Sequence, residues 1–356
     1  MTQYLIKIRP LDKFFFGTGK EFGTHNQNYF VESGYLPQQT TLLGMLRYEL
    51  LKKADKSIFE NNTIQHSEKA NALIGNKSFT YNKDNDFGKI DAISSLFLMK
   101  GDEKLFPQSK EYIKSGEKEY QYLKFSFHHD LPYIKGYDPK IGIADVWSDR
   151  NGNIFSYGDI FIKHQQTGIK KPDFKAKEKV QEKAFYVQTF YKMKKDFCFA
   201  FYASFNDEVD LGNSIVILGG ERQLFEMKVE IQNDDRIFLF NSSSVDKAIL
   251  LSDAYIEEEL GNICDFAITD IVNFRCLRAE MGKTKKYYSI KQDNENQEKY
   301  KENNLHKSEE LQLYTKGSVF YFKTKEKQEA FEKAIKSEHR FQKIGYNSYK
   351  IQNKQS

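Results

Sequence analysis

The sequence has little cysteine, no long apolar run and no marked excess of charge of either sign. Its three cysteines, Cys198, Cys264 and Cys276, are scattered and form no C-x-x-C pair. This argues against a zinc ribbon or a disulfide framework and implies core thiols in a reducing compartment. The longest apolar stretches, such as Phe197–Phe205, are far too short to span a bilayer. Met1 runs straight into a polar strand-like segment, without the basic region and apolar core of a signal peptide. The expectation is a soluble cytoplasmic protein. The formal net charge is only +4, from 54 basic and 50 acidic residues. That balance does not by itself mark a nucleic-acid binder. A polyanion path would need a local basic surface, and Lys170–Lys171, Lys175–Lys183 and Lys283–Lys286 are the clusters that supply one.

The 356 residues are 39% hydrophobic, enough for a real core, and their number points to two domains or one domain with large insertions. Aromatics make up 15%, with 30 Phe and 22 Tyr. Most fill the core, but exposed rings also make stacking platforms for bases. Residues Tyr4–Pro10 alternate as a strand. Thr40 or Thr41 then caps an amphipathic helix over Leu42–Ala54. Asp55–Lys89 is polar and reads as an irregular insertion. Strand patterns return at Ile93–Met99, Asp159–Gly168, Ala184–Tyr191, Phe197–Phe205, Ser214–Leu218 and Glu226–Ile231. The charged run Ile169–Lys183 reads as the solvated tip of a long hairpin. Asn233–Ser244 reads as an interdomain connection. A second cycle follows: strands at Lys247–Leu251, Phe266–Arg275 and Ser318–Phe322, a helix at Glu326–Ser337, and a terminal segment Ile344–Ile351. Lys291–Leu311 is low in apolar residues and reads as a mobile insertion. Two α+β units with antiparallel sheets fit this order. The boundaries expected are 1–232, with insertions 55–89 and 107–158, and 246–356, with a polar insertion 291–311.

Five short motifs recur in order along the chain. They are Pro10–Phe22 (PLDKFFFGTGKEF), Leu36–Arg47 (LPQQTTLLGMLR), Leu218–Arg222 (LGGER), Lys316–Phe322 (KGSVFYF) and Ile344–Asn347 (IGYN). In this order they resemble the crRNA 5′-handle-binding RAMP subunit of the Cmr-type (III-B) CRISPR effector complex. The match departs from the family pattern in three places. Asn273-Phe274-Arg275 stands near the place of a Gly-Trp-Asp element, Lys291–Leu311 replaces a Pro-rich segment, and Glu21 stands where Pro is commoner. The resemblance implies two ferredoxin-like (RAMP) domains and a non-catalytic role gripping the repeat-derived 5′ tag of the guide RNA. It also implies docking against the large polymerase/cyclase subunit and the first backbone RAMP subunit, indirect contact with target RNA, and no cofactor. A protruding β-hairpin, the thumb of the family, falls at Asp159–Tyr191.

The candidate RNA-binding residues follow from these motifs and from elementary chemistry. Gly219 and Gly220 let the backbone approach a phosphate and present N–H groups to it, and Arg222 can pair a phosphate bidentately. Taken alone, the segment reads as an ordinary tight turn. Thr40 and Arg47 sit on the first turns of a helix, whose N-terminus attracts anions. Phe14, Phe15 and Phe16 read as structural, and Gly17, Gly19 and Lys20 as a loop that can follow a backbone. Lys163 and His164 lie on the hairpin strand, and Lys170 and Lys171 near its tip; charge runs of this kind more often mark a solvated face. Gly345, Tyr346 and Asn347 offer backbone and a stacking ring, or simply a turn before the last strand.

No metal-ligand spacing stands out. His128-His129-Asp130 lacks a third ligand, and adjacent His on a strand point oppositely. The main rival reading is a metal-independent RAMP endoribonuclease maturing repeat RNA, for which His25 is the candidate acid–base residue. A third reading, the equivalent subunit of a Csm-type (III-A) complex, is disfavoured by the Pro-Leu-Asp-Phe-Phe start.

Overall fold

The computed structural model describes residues 2–18, 30–76, 78–116, 119–128, 131–135, 137, 140, 142–169, 185–219, 222–232, 247–279, 286–292, 298–303 and 305–352. The first two-thirds of the chain carries, in order, β1 (Thr2–Pro10), β2 (Phe30–Glu32), α1 (Gln39–Lys53), α2 (Ser67–Ile74), β3 (Ile90–Ile93), β4 (Phe97–Lys100) and β5 (Glu103–Pro107). It continues with β6 (Val146–Ser148), β7 (Ile154–Ser156), β8 (Phe161–Ile169), β9 (Phe185–Met193), β10 (Phe197–Phe205), β11 (Ser214–Leu218) and β12 (Gln223–Gln232). Nine of these strands form one sheet in the order β7-β6-β5-β4-β10-β1-β12-β11, with β3 also paired to β10. Strand β10 is apolar on both faces, whereas β1 is apolar on one face and carries Lys7 and Arg9 beside Leu5 on the other. Tyr4, Ile6 and Ile8 of β1 join Phe199, Phe201 and Phe205 of β10 in the main core under α1. Leu5, Ala200 and Tyr202 face the other way, onto Phe97 and Met99.

Helix α1 begins at Gln39, with Gln38 as its N-cap and no capping side chain from that residue. The expected threonine cap is therefore corrected: Thr40 lies inside the first turn. The buried stripe Leu42, Leu43, Met45, Leu46, Leu50 and Leu51 is what packs the helix on the sheet.

The remaining chain carries β13 (Lys247–Leu250), α3 (Leu260–Ile263), β14 (Phe266–Ile268), β15 (Ile271–Phe274), β16 (Leu277–Ala279), β17 (Lys286–Gln292), β18 (Glu298–Asn303), β19 (Leu305–Lys307), β20 (Leu311–Tyr314), β21 (Val319–Tyr321), α4 (Lys325–Ser337), α5 (His339–Lys343) and β22 (Tyr349–Gln352). Its sheet runs β14-β21-β13-β22, every neighbour antiparallel. Thr324 caps α4 by accepting from Lys327 N at 3.4 Å, and Phe331, Ala334 and Ile335 form its buried stripe.

Several sequence expectations are corrected here. Residues 55–89 are not irregular throughout: they contain α2, anchored by the buried Ala70, Phe79 and Phe87. Three anchors among many polar residues give too sparse a pattern to read as a helix. The stretch Phe266–Arg275 is two strands in two different sheets, broken at Thr269–Asp270. The stretch Ile93–Met99 likewise breaks at Ser94, whose hydroxyl accepts from Tyr202 N at 2.9 Å. Residues 291–311, expected as a mobile insertion, include described strands of a long ribbon. The stretch Asn233–Ser244 and the hairpin tip 170–184 lie outside the described residues. No helix among the described residues is long and apolar enough to cross a membrane.

A polar seam joins the two sheets. Lys247 Nζ on β13 donates to both Glu111 oxygens, at 2.8 and 2.7 Å, and both side chains are almost fully buried. Tyr122 donates to Glu111 at 2.7 Å, and Tyr321 donates to the same oxygen. Burial disfavours the Glu111 carboxylate, yet Lys247 and the two phenols hold it below the usual carboxylate range. Beside it, Lys110 N donates to Gly317 O at 2.8 Å. Gly317 has φ +80°, and a Cβ there would lie 2.6 Å from Gln108 O, so only glycine fits.

Candidate nucleic-acid interface

After β1 the chain is pinned rung by rung. Leu11 N donates to Leu224 O at 3.0 Å, and Phe14 exchanges backbone hydrogen bonds with Tyr191 at 2.7 and 3.1 Å. Phe16 N donates to Ser33 Oγ at 2.8 Å, and Gly34 N to Phe16 O at 2.7 Å. All three phenylalanines are buried. Phe14 packs with Phe16, Phe161, Phe199 and Phe225, while Phe15 joins Phe190 and Val31. The rings anchor the segment, and its exposed part is the main chain from Gly17.

Against this loop lies the β11–β12 turn. Gly219 has φ +78°, and a Cβ there would come within 2.9 Å of Phe15 O. Arg222 also takes a left-handed backbone, φ 54°, and its N–H donates to Gly219 O at 3.2 Å. Its side chain is exposed. Two motifs about 200 residues apart in sequence thus meet, and the contact needs a residue without Cβ at 219.

The β8–β9 pair rises beside them. The strands are antiparallel from Phe161↔Met193 to Ile169↔Phe185, and β2 adds to β9 in parallel. The observed strands thus begin and end two residues later than 159–191. Lys13 of the loop reaches across, donating to Gln166 at 2.8 Å and lying 4.8 Å from the Phe190 ring centre. Lys192 pairs with Asp12 at 3.2 Å. Lys163 Nζ donates to Glu32 at 3.1 Å, and the Tyr191 hydroxyl donates to the same carboxylate oxygen. Burial, with Glu32 and Tyr35 beside it, raises the Tyr191 phenol. His164 is exposed on the opposite face of β8 from Lys163, level with Phe190.

Sequence reasoning missed three aromatic contributions. Phe30 and Phe185 are 73% and 62% exposed and lie on one face of this small sheet, Phe30 opposite Val187. Tyr35 stacks on Tyr157 at 4.1 Å and 3° and lies 4.3 Å from Tyr191. The signal was present in the alternation of Phe185, Val187 and Thr189, but nothing in the sequence says which face stays open.

The structure brings Gly17, Gly219, Arg222, Lys163 and His164 to neighbouring segments; Gly19, Lys20, Lys170, Lys171 and Gly220 lie outside the described residues, as does His25. Four other candidates are spent within the fold. Arg47 donates from Nε to Ile74 O at 2.6 Å and from Nη2 to Gly75 O at 3.2 Å, tying α1 to the end of α2. Burial lowers its basicity against the pull of Asp86. Its guanidinium is a clamp on two carbonyls rather than a phosphate fork. Gly345, φ +85°, packs so closely on α1 that a Cβ would sit 1.9 Å from Gln39 Nε2 and 2.2 Å from Ser94 O. Tyr346 is 4% exposed, packed on Phe274 and Phe341, and its ring offers no face to a base. Asn347 is buried, donating to Tyr255 O at 2.7 Å and Ile335 O at 3.2 Å and accepting from Tyr255 N at 2.9 Å. The terminal glycine loop is a seam between the two sheets. Thr40 is half-buried in the first turn of α1.

Among the described residues no group of three or more His, Cys, Asp or Glu is arranged to hold a metal ion. Fold and surface together define an α+β protein, built on a nine-stranded and a four-stranded antiparallel sheet, that presents the main chain at Gly17 and Gly219 and exposed cations along an edge flanked by the β8–β9 pair. Its family follows from comparison. The model of the CRISPR-associated protein family Cas_Cmr3 matches residues 6–353, and the chain belongs to that family. It is a RAMP-type subunit of a type III-B CRISPR effector complex. Among solved structures, it is similar to a chain of the type III-B Cmr-beta complex bound to cognate target RNA, with a TM-score of 0.51 and 16% identity, covering 98% of this chain and 96% of that one. The same complex with target RNA and AMPPnP gives a TM-score of 0.49 and 16% identity, covering 97% and 94%. A chain of a Csm3–Csm4 subcomplex of type III-A gives 0.35 and 13%, covering 90% and 92%. No curated protein matches the chain.

Proposed function

We propose that the protein is a non-catalytic scaffold that holds the repeat-derived 5′ tag of the guide RNA, and that it docks the large polymerase/cyclase subunit and the first backbone subunit of its complex. The observation that carries this reading is the meeting of Phe15–Thr18, the turn residues Gly219 and Arg222, and the β8–β9 pair along one edge. Main-chain groups beside exposed cations suit a phosphodiester chain held as a fixed shape. The four strands β22-β13-β21-β14 with α3 and α4 follow a ferredoxin-like order, and we read the larger sheet as the partner RAMP domain. The β8–β9 pair is then the thumb, with Lys163, His164 and the exposed Phe30 and Phe185 near the displaced nucleotide. The solved relative's cognate target RNA fits indirect contact with a target strand here.

The test is assembly of the co-expressed complex on guide RNA with and without its tag. Arg222→Glu should lower incorporation of tagged guide while leaving the untagged background unchanged. Equal incorporation of both guides by the native protein would refute the reading. Metal-free cleavage of repeat RNA that disappears in His25→Ala would favour the endoribonuclease instead.

A further inference from the structure

The nine-stranded sheet ends on β11, and that edge carries none of the usual guards. The five residues of β11, Ser-Ile-Val-Ile-Leu, include no charge and no proline. They pair with β12 in an unbroken register, and among the described residues no strand lies on their other side. Edge strands are ordinarily blunted by shortness, charge, proline or a bulge. The opposite edge, β7, is only three residues long, and the edge strand β22 of the second sheet carries Lys350. An uncharged run rich in β-branched residues, left open, is a template for strand pairing.

The groups on offer can be assigned. Along an edge strand, alternate residues turn both N–H and C=O away from the ladder. Lys52 Nζ, from the last turn of α1, donates to Ile215 O at 3.4 Å. This places Ile215 in the outward set, and Ile217 with it. Their side chains are 46% and 37% exposed, while Val216 and Leu218 are buried in the main core. Leu224, 49% exposed, stands directly opposite Ile217. Leu11, 54% exposed, lies beside it, its N–H donating to Leu224 O at 3.0 Å. Four apolar side chains thus form one row at the end of the sheet.

The charges on the same outer face are already matched. Lys7 pairs with Glu230 at 2.7 Å, Lys228 with Glu226 at 3.6 Å, and Arg9 stands opposite Glu226. A phosphodiester chain needs unspent cations and gains nothing from an apolar row. An extended peptide meets both features: its main chain completes the ladder, and its alternate side chains continue the row.

We propose that β11 accepts an extended segment of another protein subunit of the complex as an added strand. The segment's apolar residues, at alternate positions, continue the row Ile215, Ile217, Leu224 and Leu11. The inference rests on the docking half of the function proposed above and is independent of the tag-holding half.

The test is amide hydrogen exchange of the peptide 213–219 in the full chain, measured alone, with guide RNA only, and in the co-expressed complex. Exchange should slow by about tenfold or more in the complex and stay unchanged with RNA only. Ile217→Pro removes one outward N–H and leaves the ladder to β12 intact. It should lower recovery of the partner subunits by about tenfold, and Ile217→Val, which keeps the N–H, should retain native recovery. If the proline variant does not fold, exchange in the native chain decides. Unchanged exchange at 213–219 in a complex that still assembles would leave docking standing and overturn the edge inference. Protection already present in the isolated chain, or conferred by RNA alone, would overturn it as well. Failure of the native chain to co-purify with other subunits would overturn both docking and the added strand.

Discussion

Arg47 and Arg222 have the same chemistry and opposite circumstances. Arg47 lies in a helix motif and spends its donors on Ile74 O and Gly75 O. Arg47→Ala should therefore cost about 1–3 kcal/mol of stability, because two carbonyls lose their partner. Denaturant melts should show that loss, and guide RNA incorporation by the folded fraction should stay native. Arg222 is exposed on a turn, so Arg222→Ala should leave the melt within about 0.5 kcal/mol and reduce tag-dependent assembly. Gly345→Ala should be the most damaging of the three, at least about 3 kcal/mol, since its Cβ would strike Ser94 O and Gln39 Nε2 at a left-handed φ. Expression and melting of that variant are the check. From sequence these three positions look alike, as motif residues of one RNA-binding set. Whether a motif residue faces inward is decided by contacts with segments far away, which local spacing does not encode.

At the scale of elements, strong periodicity was legible and sparse anchoring was not. The α1 leucine stripe, the β10 run Phe197–Phe205 and the α4 helix all follow from local pattern. Helix α2 and the paired strands within 291–311 did not, because few apolar residues mark them. The candidate edge was half legible. The FFFG and LGGER motifs could be named, but their contact through Gly219 and Phe15 O could not. The β8–β9 pair carries its own prediction. Lys163 and its partner Glu32 are both exposed, so Lys163→Ala should change stability by less than about 1 kcal/mol. If Lys163 meets a phosphate, the same change should lower the salt slope of guide binding by roughly 0.7. Titration of guide RNA across ionic strength reads this directly.

At the scale of the molecule, the two sheets are held by the Glu111–Lys247 pair and by the Gly345–Asn347 loop. Glu111 has a lowered folded pKa, so it contributes stability above the ordinary carboxylate pKa, and that contribution is lost as pH falls through the lowered value. The sign predicts a seam that holds at neutral pH and loosens in acid below about pH 4. Glu111→Gln leaves Lys247 buried without its counter-charge and should cost about 3 kcal/mol at pH 7. The gap between the native and variant melting temperatures should narrow as pH drops; a gap independent of pH would contradict this account of the seam. Two sheets fixed this way hold turn and loop as one edge, the edge proposed above to meet RNA.

The most direct measurement places a photoreactive nucleotide within the 5′ tag of the guide and maps its crosslinks in the assembled complex. The account predicts crosslinks on this chain at residues 11–18, 219–222 and the β8–β9 strands. Tag crosslinks confined to other subunits, with none at these segments, would contradict it.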